Sequence, residues 1–309
     1  MRILITGDLG FVGTETKRLL TLNKEVEKMG FKSKHEVIGY DIMDGWDIRD
    51  INQLENVIKQ QKIDRILHLA AIARFSDADN DPQLAFETNV VGTANIVRVA
   101  ERYHIPLVYA STGSVYMPIE ETPPITEKFK ARGNSVYACT KYLGECSVRK
   151  HTPHIILRYA HLYGREKRGH GLVGAFLERM ERGLSPLLYG GKQSNDFMYV
   201  QDTARANTLA LEASWDKWNN TYNIGTGEEL TTEEAAKIIC EMTGYKGKIE
   251  KLGGRTVDPL RFVFDISKAE RMLNFKAEYN FKQGMKEMLK DYKLVDGFQD
   301  VPKRNDATM

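Results

Sequence analysis

Short apolar runs and longer stretches of helical spacing alternate along the N-terminal half of the chain. Arg2-Ile-Leu-Ile-Thr6 is dominated by β-branched and other apolar residues and followed by glycine, the pattern of a strand buried on both faces of a parallel sheet. Between Phe11 and Leu22, the positions Phe11, Val12, Leu19, Leu20 and Leu22 suit one buried helical face. The alternation continues through an apolar run at Glu36–Asp41, helical spacing at Ile51–Gln60, a third strand within Lys62–Ala71 and a long helix over Pro82–Tyr103. A fourth strand starts at Leu107 and runs out into hydroxyl residues by Tyr116; a helix over Asn134–Lys150 and a fifth strand over Pro153–Arg158 follow. This series predicts an α/β fold with a doubly wound parallel sheet. Beyond Gly164 the alternation loosens into a charged, glycine-rich loop to Gly171, a helix over Leu172–Arg182 and a short strand at Leu187–Tyr189. Asn220–Ile224 reads as a strand returning to the sheet. The expected division is residues 1–164 with the returning strand near 220–224 as the sheet domain, and residues 165–309 mainly as a smaller C-terminal α/β lobe. The tail from Lys303 to Met309 is expected to fray.

Composition narrows the class without naming a partner. The 309 residues can bury a large core, and 44 Lys plus Arg against 42 acids give a net charge of +2, no global bias towards nucleic acid or membrane. Short basic runs such as Lys32 to Lys34 read as solvated surface. No apolar stretch approaches the roughly 18 residues of a membrane span, and the first residues enter a strand without signal-peptide regions, so the cytosol is the expected location. Cys139, Cys146 and Cys240 lack C-x-x-C spacing, which argues against a disulfide framework and a zinc site; no metal is expected.

The chemistry begins at Gly7, Gly10 and Gly13. Three glycines between a strand and a helix permit a tight turn, close backbone approach to a pyrophosphate at the helix N-terminus, and close packing of helix on strand, so the implied ligand is a dinucleotide. A strand-turn-helix without a ligand has the same local pattern. Asp41 ends the second run where a carboxylate accepts hydrogen bonds from adenosine ribose hydroxyls, which favours NAD over NADP. Asp47 and Ile48 are candidates for the adenine pocket, and Leu69, Ala70 and Ala71 form a small-residue turn where backbone could approach the cofactor. Asn89, inside an apolar helical face, needs partners and is expected to tie backbone together beneath that site. His68, inside a strand, reads as packing rather than catalysis. Ser111, Thr112 and Ser114 fall at the carboxyl end of the fourth strand, where ligands bind in open parallel sheets. The segment Gly113 to Gly133, rich in proline and charge, is expected to be a surface loop able to cover a substrate. Tyr137 and Lys141 lie four apart on one helical face, so an ammonium could lower the phenol pKa and make Tyr137 a general acid or base.

In order, Thr6-Gly7-x-x-Gly10-x-x-Gly13, Asp41, Asp47-Ile-Arg-Asp50, His68-Leu-Ala-Ala71, Asn89-Val-Val-Gly92-Thr, Ser111-Thr112 with Val115-Tyr116, Tyr137-x-x-x-Lys141 and Arg158-Tyr159 are followed by Asp196-Phe-Met-Tyr-Val-Gln-Asp202, Tyr222-Asn-Ile-Gly-Thr-Gly227 and Asp265-x-Ser-Lys268. The set resembles the extended short-chain dehydrogenase/reductase family, in its nucleotide-sugar epimerase and dehydratase branch, over nearly the whole length. The resemblance implies an NAD-binding Rossmann domain, a nucleotide-sugar-binding C-terminal lobe, Tyr137 as acid/base, Lys141 on the nicotinamide ribose and Thr112 on the sugar oxygen. It also implies a homodimer paired through the helices of Pro82–Tyr103 and Asn134–Lys150.

Departures from the family pattern refine the expectation. Gly113 and Ser114 stand where dehydratases of the branch carry the acidic pair that performs elimination. His161 replaces an asparagine that contacts the sugar nucleotide, Asn195 replaces an arginine, and Arg255 matches an arginine that binds the diphosphate. His161 either donates to phosphate when protonated or merely packs. The leading expectation is an NAD-dependent epimerase of a nucleotide-activated sugar, at C4 through a 4-keto intermediate. A net reductase or dehydrogenase, a dehydratase, and a non-catalytic binder of NAD and sugar nucleotide are the alternatives.

Overall fold

The computed structural model describes residues 1–21, 35–117, 119, 122–150, 153–165, 171–253 and 260–290. Leu22, the Lys32 to Lys34 run, most of the Gly164 to Gly171 loop, Arg255 and the tail from Lys303 to Met309 lie outside the described residues. The strands are β1 (Arg2–Thr6), β2 (Glu36–Tyr40), β3 (Arg65–His68), β4 (Leu107–Thr112), β5 (His154–Tyr159), β6 (His161–Tyr163), β7 (Leu187–Tyr189), β8 (Ser194–Asn195), β9 (Phe197–Tyr199), β10 (Asn220–Ile224), β11 (Leu230–Thr231), β12 (Glu250–Leu252) and β13 (Arg261–Phe262). The helices that flank the large sheet are α1 (Phe11–Thr21), α2 (Ile51–Gln61), α3 (Phe75–Asn80), α4 (Pro82–Phe86), α5 (Thr93–Arg102) and α6 (Val136–Val148). Later come α7 (Gly171–Glu181), α8 (Val200–Glu212), α9 (Thr232–Thr243), α10 (Ser267–Leu273) and α11 (Phe281–Lys290).

Six strands form one parallel sheet in the order β10-β5-β4-β3-β1-β2. Its register aligns Thr6 with Tyr40 and His68, and Thr112 with Tyr159, so the strands' carboxyl ends share one edge. The order reverses direction at β1, and the crevice outside such a switch point is where open α/β sheets bind ligands. Alternation along the strands sorts the apolar residues into two layers. Ile3, Ile5, Val108 and Leu157 pack on Ala206, Ala210 and Leu211 of α8, whereas Leu4, Ile66, Leu107 and Ile156 pack on Leu54 and Ile58 of α2 and on Ile96 and Val99 of α5.

A smaller core is built from Val173, Phe176, Leu177 and Met180 of α7, Ala235, Ala236 and Ile239 of α9, and Met285 and Met288 of α11. Around it lie the short sheets β11-β8-β13, β12-β7 and β6-β9.

Two expectations change. The long helix over Pro82–Tyr103 is helical throughout but opens into a π-helical segment, Glu87–Gly92, between α4 and α5. The segment after Thr112 is not simply a surface loop: Gly113–Tyr116 is a 3-10 turn, Val115, Tyr116, Met117 and Ile125 are buried, and Ile125 makes a parallel bridge to Phe264. Its apolar minority is drawn into the core by the later part of the chain.

Candidate active site

The turn after β1 can be made only by glycine at its two ends. Gly7 has φ +72°, and a Cβ there would sit 2.8 Å from the Ala70 amide nitrogen; one on Gly13 would sit 2.1 Å from the Gly7 carbonyl oxygen. The turn is therefore pressed against the Leu69-Ala70 backbone on one side and closed by the first turn of α1 on the other. Thr6 extends the contact, its carbonyl accepting from Leu69 N at 3.0 Å and its hydroxyl from Ala70 N at 3.3 Å. Asp41 fixes the far rim: Oδ2 accepts from Leu9 N at 3.1 Å and Oδ1 from Met43 N at 3.0 Å. Asp47 forms a tight pair with Arg49, which holds its carboxyl below the usual range, and the Ile48 side chain is buried against Gly92. Phe11 and Val12 pack towards the smaller core, and a Cβ at Gly164 would meet Val200 Cγ1 at 2.6 Å and crowd the Phe11 ring at 3.0 Å.

Thr112 and Tyr137 converge at the carboxyl end of β4. The Thr112 Oγ1 accepts from Ser114 N at 3.2 Å and donates to Ser114 Oγ at 3.2 Å. Burial pushes the Tyr137 phenol above its ordinary value, and the neighbouring Thr112 hydroxyl only partly offsets this. This departs from the expectation that Lys141 lowers it. The cause is desolvation of the phenol itself; Lys141, 3% exposed, is likewise drawn down to about 7 by burial, with its ammonium 4.3 Å from the centre of the Tyr109 ring. Gly144 allows that arrangement, since a Cβ there would meet the Tyr109 hydroxyl at 2.3 Å.

Ser111, expected beside substrate, faces the other way. Residues 111 and 112 alternate across the strand, and the buried Ser111 hydroxyl donates to Glu145 Oε1 at 2.6 Å. Asn89 bridges three pieces of chain: its amide takes both the N–H and the carbonyl of Ile72, at 2.8 and 3.1 Å, and donates to Thr140 Oγ1 at 3.0 Å. It lies in the π-helical segment, where such insertions often accompany functional sites. His68 is a packed residue, Nδ1 on Thr6 Oγ1 at 2.7 Å and Nε2 on Thr93 Oγ1 at 3.0 Å, and burial lowers its pKa to about 3.

β13 and the residues that follow it reach back over this edge. A Cβ on Gly113 would lie 2.3 Å from Phe262 Cζ and 2.7 Å from Phe264 Cζ, so two aromatic rings close the space beside Thr112. His161 is exposed, with its ring edge-on to Phe262 at 5.0 Å. Asn195 is half-buried and its amide donates to Thr232 Oγ1 at 3.4 Å.

The chain is similar to known proteins along most of its length. Residues 3–225 match the family described as NAD dependent epimerase/dehydratase. The chain belongs to this family. A candidate UDP-glucose 4-epimerase of Methanocaldococcus jannaschii is 31% identical, with 93% of this chain and 97% of that protein covered. The UDP-glucose 4-epimerase of Thermotoga maritima, solved with UDP-glucose, superposes with a TM-score of 0.83 at 26% identity, covering 96% and 99% of the two chains. That of Thermus thermophilus, solved with NAD, gives 0.79 at 27% identity, covering 94% and 98%. Dehydratases of dTDP-glucose also match along most of the chain. The family's fold is the NAD-binding Rossmann fold, and its members are NAD-dependent enzymes. Among the described residues no helix is long and apolar enough to cross a membrane.

Sequence reasoning missed four residues at this edge. Phe75, 50% exposed at the start of α3, sets its ring edge-on to Tyr137 at 5.2 Å. Phe262 and Phe264 come from far along the chain, and no local pattern links them to Gly113. Glu145 stood in plain sight, four residues after Lys141.

Proposed function

We propose that the protein is an NAD-dependent epimerase of a nucleotide-activated sugar, acting at C4 through a transient 4-keto intermediate. What supports this reading is Thr112 at the carboxyl end of β4, on the edge the glycine turn shares, with Tyr137 and Lys141 one turn apart on α6. Gly7, Gly10 and Gly13 would receive the pyrophosphate at the α1 N-terminus, Asp41 the adenosine ribose, and Lys141 the nicotinamide ribose. Bound NAD would supply reversible hydride acceptance at the sugar carbon. Thr112 would hold the sugar hydroxyl, and Tyr137 would take its proton and later return it. Returning the hydride to the opposite face after the ketone turns over inverts the centre, with no net oxidation.

The surroundings of Gly113 favour epimerisation over elimination. Elimination needs an acid and a base beside the ketone, whereas Phe262 and Phe264 fill the space that a side chain at 113 would need. We also propose that residues 1–164 with β10 form the cofactor domain and residues 165–309 mainly the substrate lobe, that His161, Asn195 and Ser114 face the sugar nucleotide, and that the protein works in the cytosol, where its three free cysteines would stay reduced. A homodimer fits the exposed apolar side chains of Phe86, Val91 and Leu143 on the helical face built from α4 to α6.

The test is incubation of the purified protein with UDP-glucose and a panel of other nucleotide sugars, reading product stereochemistry by NMR and NADH release by absorbance. Inversion at C4 with NAD retained supports the reading. Stoichiometric NADH release points to a dehydrogenase, and loss of water to a dehydratase.

A further inference from the structure

Tyr137, Lys141 and Glu145 are spaced four apart on α6 and so stack along one helical face. Glu145 is fully buried and its carboxylate is held by four donors. Oε1 accepts from Ser111 Oγ at 2.6 Å and Arg158 Nε at 2.8 Å; Oε2 accepts from Arg158 Nη2 at 2.6 Å and Arg149 Nη2 at 2.7 Å. The Arg158 guanidinium rests 4.6 Å from the centre of the Tyr116 ring, on the side of the sheet strands. Such a buried pair is a weak device for stability, because desolvating both ions cancels most of their attraction, and apolar residues often serve as well. Its placement one turn beyond Lys141 suggests another use.

Lys141 is buried and, among the described residues, forms no ion pair; its ammonium faces the Tyr109 ring. The reading of Tyr137 as proton carrier needs that ammonium. We infer that Glu145 is the positioning residue that keeps Lys141 charged beside Tyr137, from a carboxylate pinned one helical turn away by Ser111 and Arg158. The groups around Lys141 support this. Burial lowers the Lys141 pKa to about 7, and the opposing influence comes from Glu145. Burial alone would raise the Glu145 carboxyl, but Arg158 outweighs it and, with Ser111 and Arg149, holds the group below its ordinary value, so it stays ionised. Facing Lys141 from β3, His68 is lowered to about 3 and is neutral; from β4, Tyr109 is raised well above 10 and is neutral too. Tyr137, on the same helix, is also raised. Among the described residues Glu145 is thus the anion that acts on Lys141.

This inference rests on the proposed role of Tyr137, so its deciding measurement does not require turnover. The full-length chain, loaded with NAD and labelled with [ε-13C]lysine, is titrated by NMR, with Lys141→Arg assigning the signal. In Glu145→Gln the Lys141 midpoint is expected to fall by at least one pH unit. Because that variant leaves Arg158 unpartnered, the apolar pair Glu145→Leu with Arg158→Met is titrated beside it, and its midpoint is expected to fall as well. A midpoint unmoved in either folded variant overturns the inference. In active enzyme that needs Lys141 charged, a one-unit fall from about 7 should lower kcat about fivefold at pH 7 and move the limb that falls as Lys141 loses its proton to the acid side. A wild-type chain that turns over no nucleotide sugar would sink the parent reading and leave the titration to decide this one.

Discussion

Tyr137 neighbours Thr112, whose hydroxyl eases its phenol pKa downward, and the Phe75 ring, which meets its own edge-on. Replacing Tyr137 by phenylalanine keeps the ring and its packing but removes the proton. Turnover should fall by roughly 10²- to 10⁴-fold, the usual worth of a general acid or base, while NAD affinity stays within about twofold. Unchanged turnover would exclude Tyr137 as the proton carrier. Lys141 offers a second measurement at this scale, free of catalysis. Its folded-state pKa of about 7 lies below the ordinary 10.5, so between those values the unfolded chain holds a proton that the folded chain has released. Stability should therefore rise with pH across that window, and be independent of this group below about 7. Against Lys141→Met, denaturant titrations should show the wild type gaining on the variant from pH 7 to 10; a constant difference would mean the side chain is not desolvated.

At the scale of elements, the turn from β1 to α1 acts as a single part. Gly13→Ala would drive a methyl group into the Gly7 carbonyl at 2.1 Å, and backbone rather than a flexible side chain would have to yield. We expect a loss of about 1–3 kcal/mol in stability, by chemical denaturation, together with a larger loss of NAD affinity, by calorimetry. Most elements were legible in the chain because a strand buried on both faces leaves an unbroken apolar run, as in Ile3, Leu4 and Ile5. The π-helical segment was not, since Asn89 and Gly92 break no periodicity that could announce it. Residues 113 to 133 were misread for a different reason. Their proline and charge suggest solvent, while Ile125 is buried by a bridge to Phe264 that no local window contains. At the site, spacing alone brought Tyr137 and Lys141 together, but spacing carries no information on burial, and burial set the direction of both pKa changes.

For the whole molecule, the exposed side chains of Phe86, Val91 and Leu143 give the proposed homodimer a test. Sedimentation should show a dimer for the native chain, and Leu143→Glu should shift it towards monomer without changing its circular dichroism; a native monomer at micromolar concentration would rule the pairing out. The other global feature is the origin of β10, which pairs with β5 although strands β6 to β9 lie between them in sequence. During synthesis the ribosome must therefore have delivered Ile224 before the sheet can acquire its final border, and until then β5 offers an unfinished row of amides and carbonyls to any passing strand. A fragment ending at Gly164 should accordingly collect in inclusion bodies, whereas one extended through β10 should recover in the soluble fraction. The nascent protein is most in need of a chaperone during the interval between those two lengths.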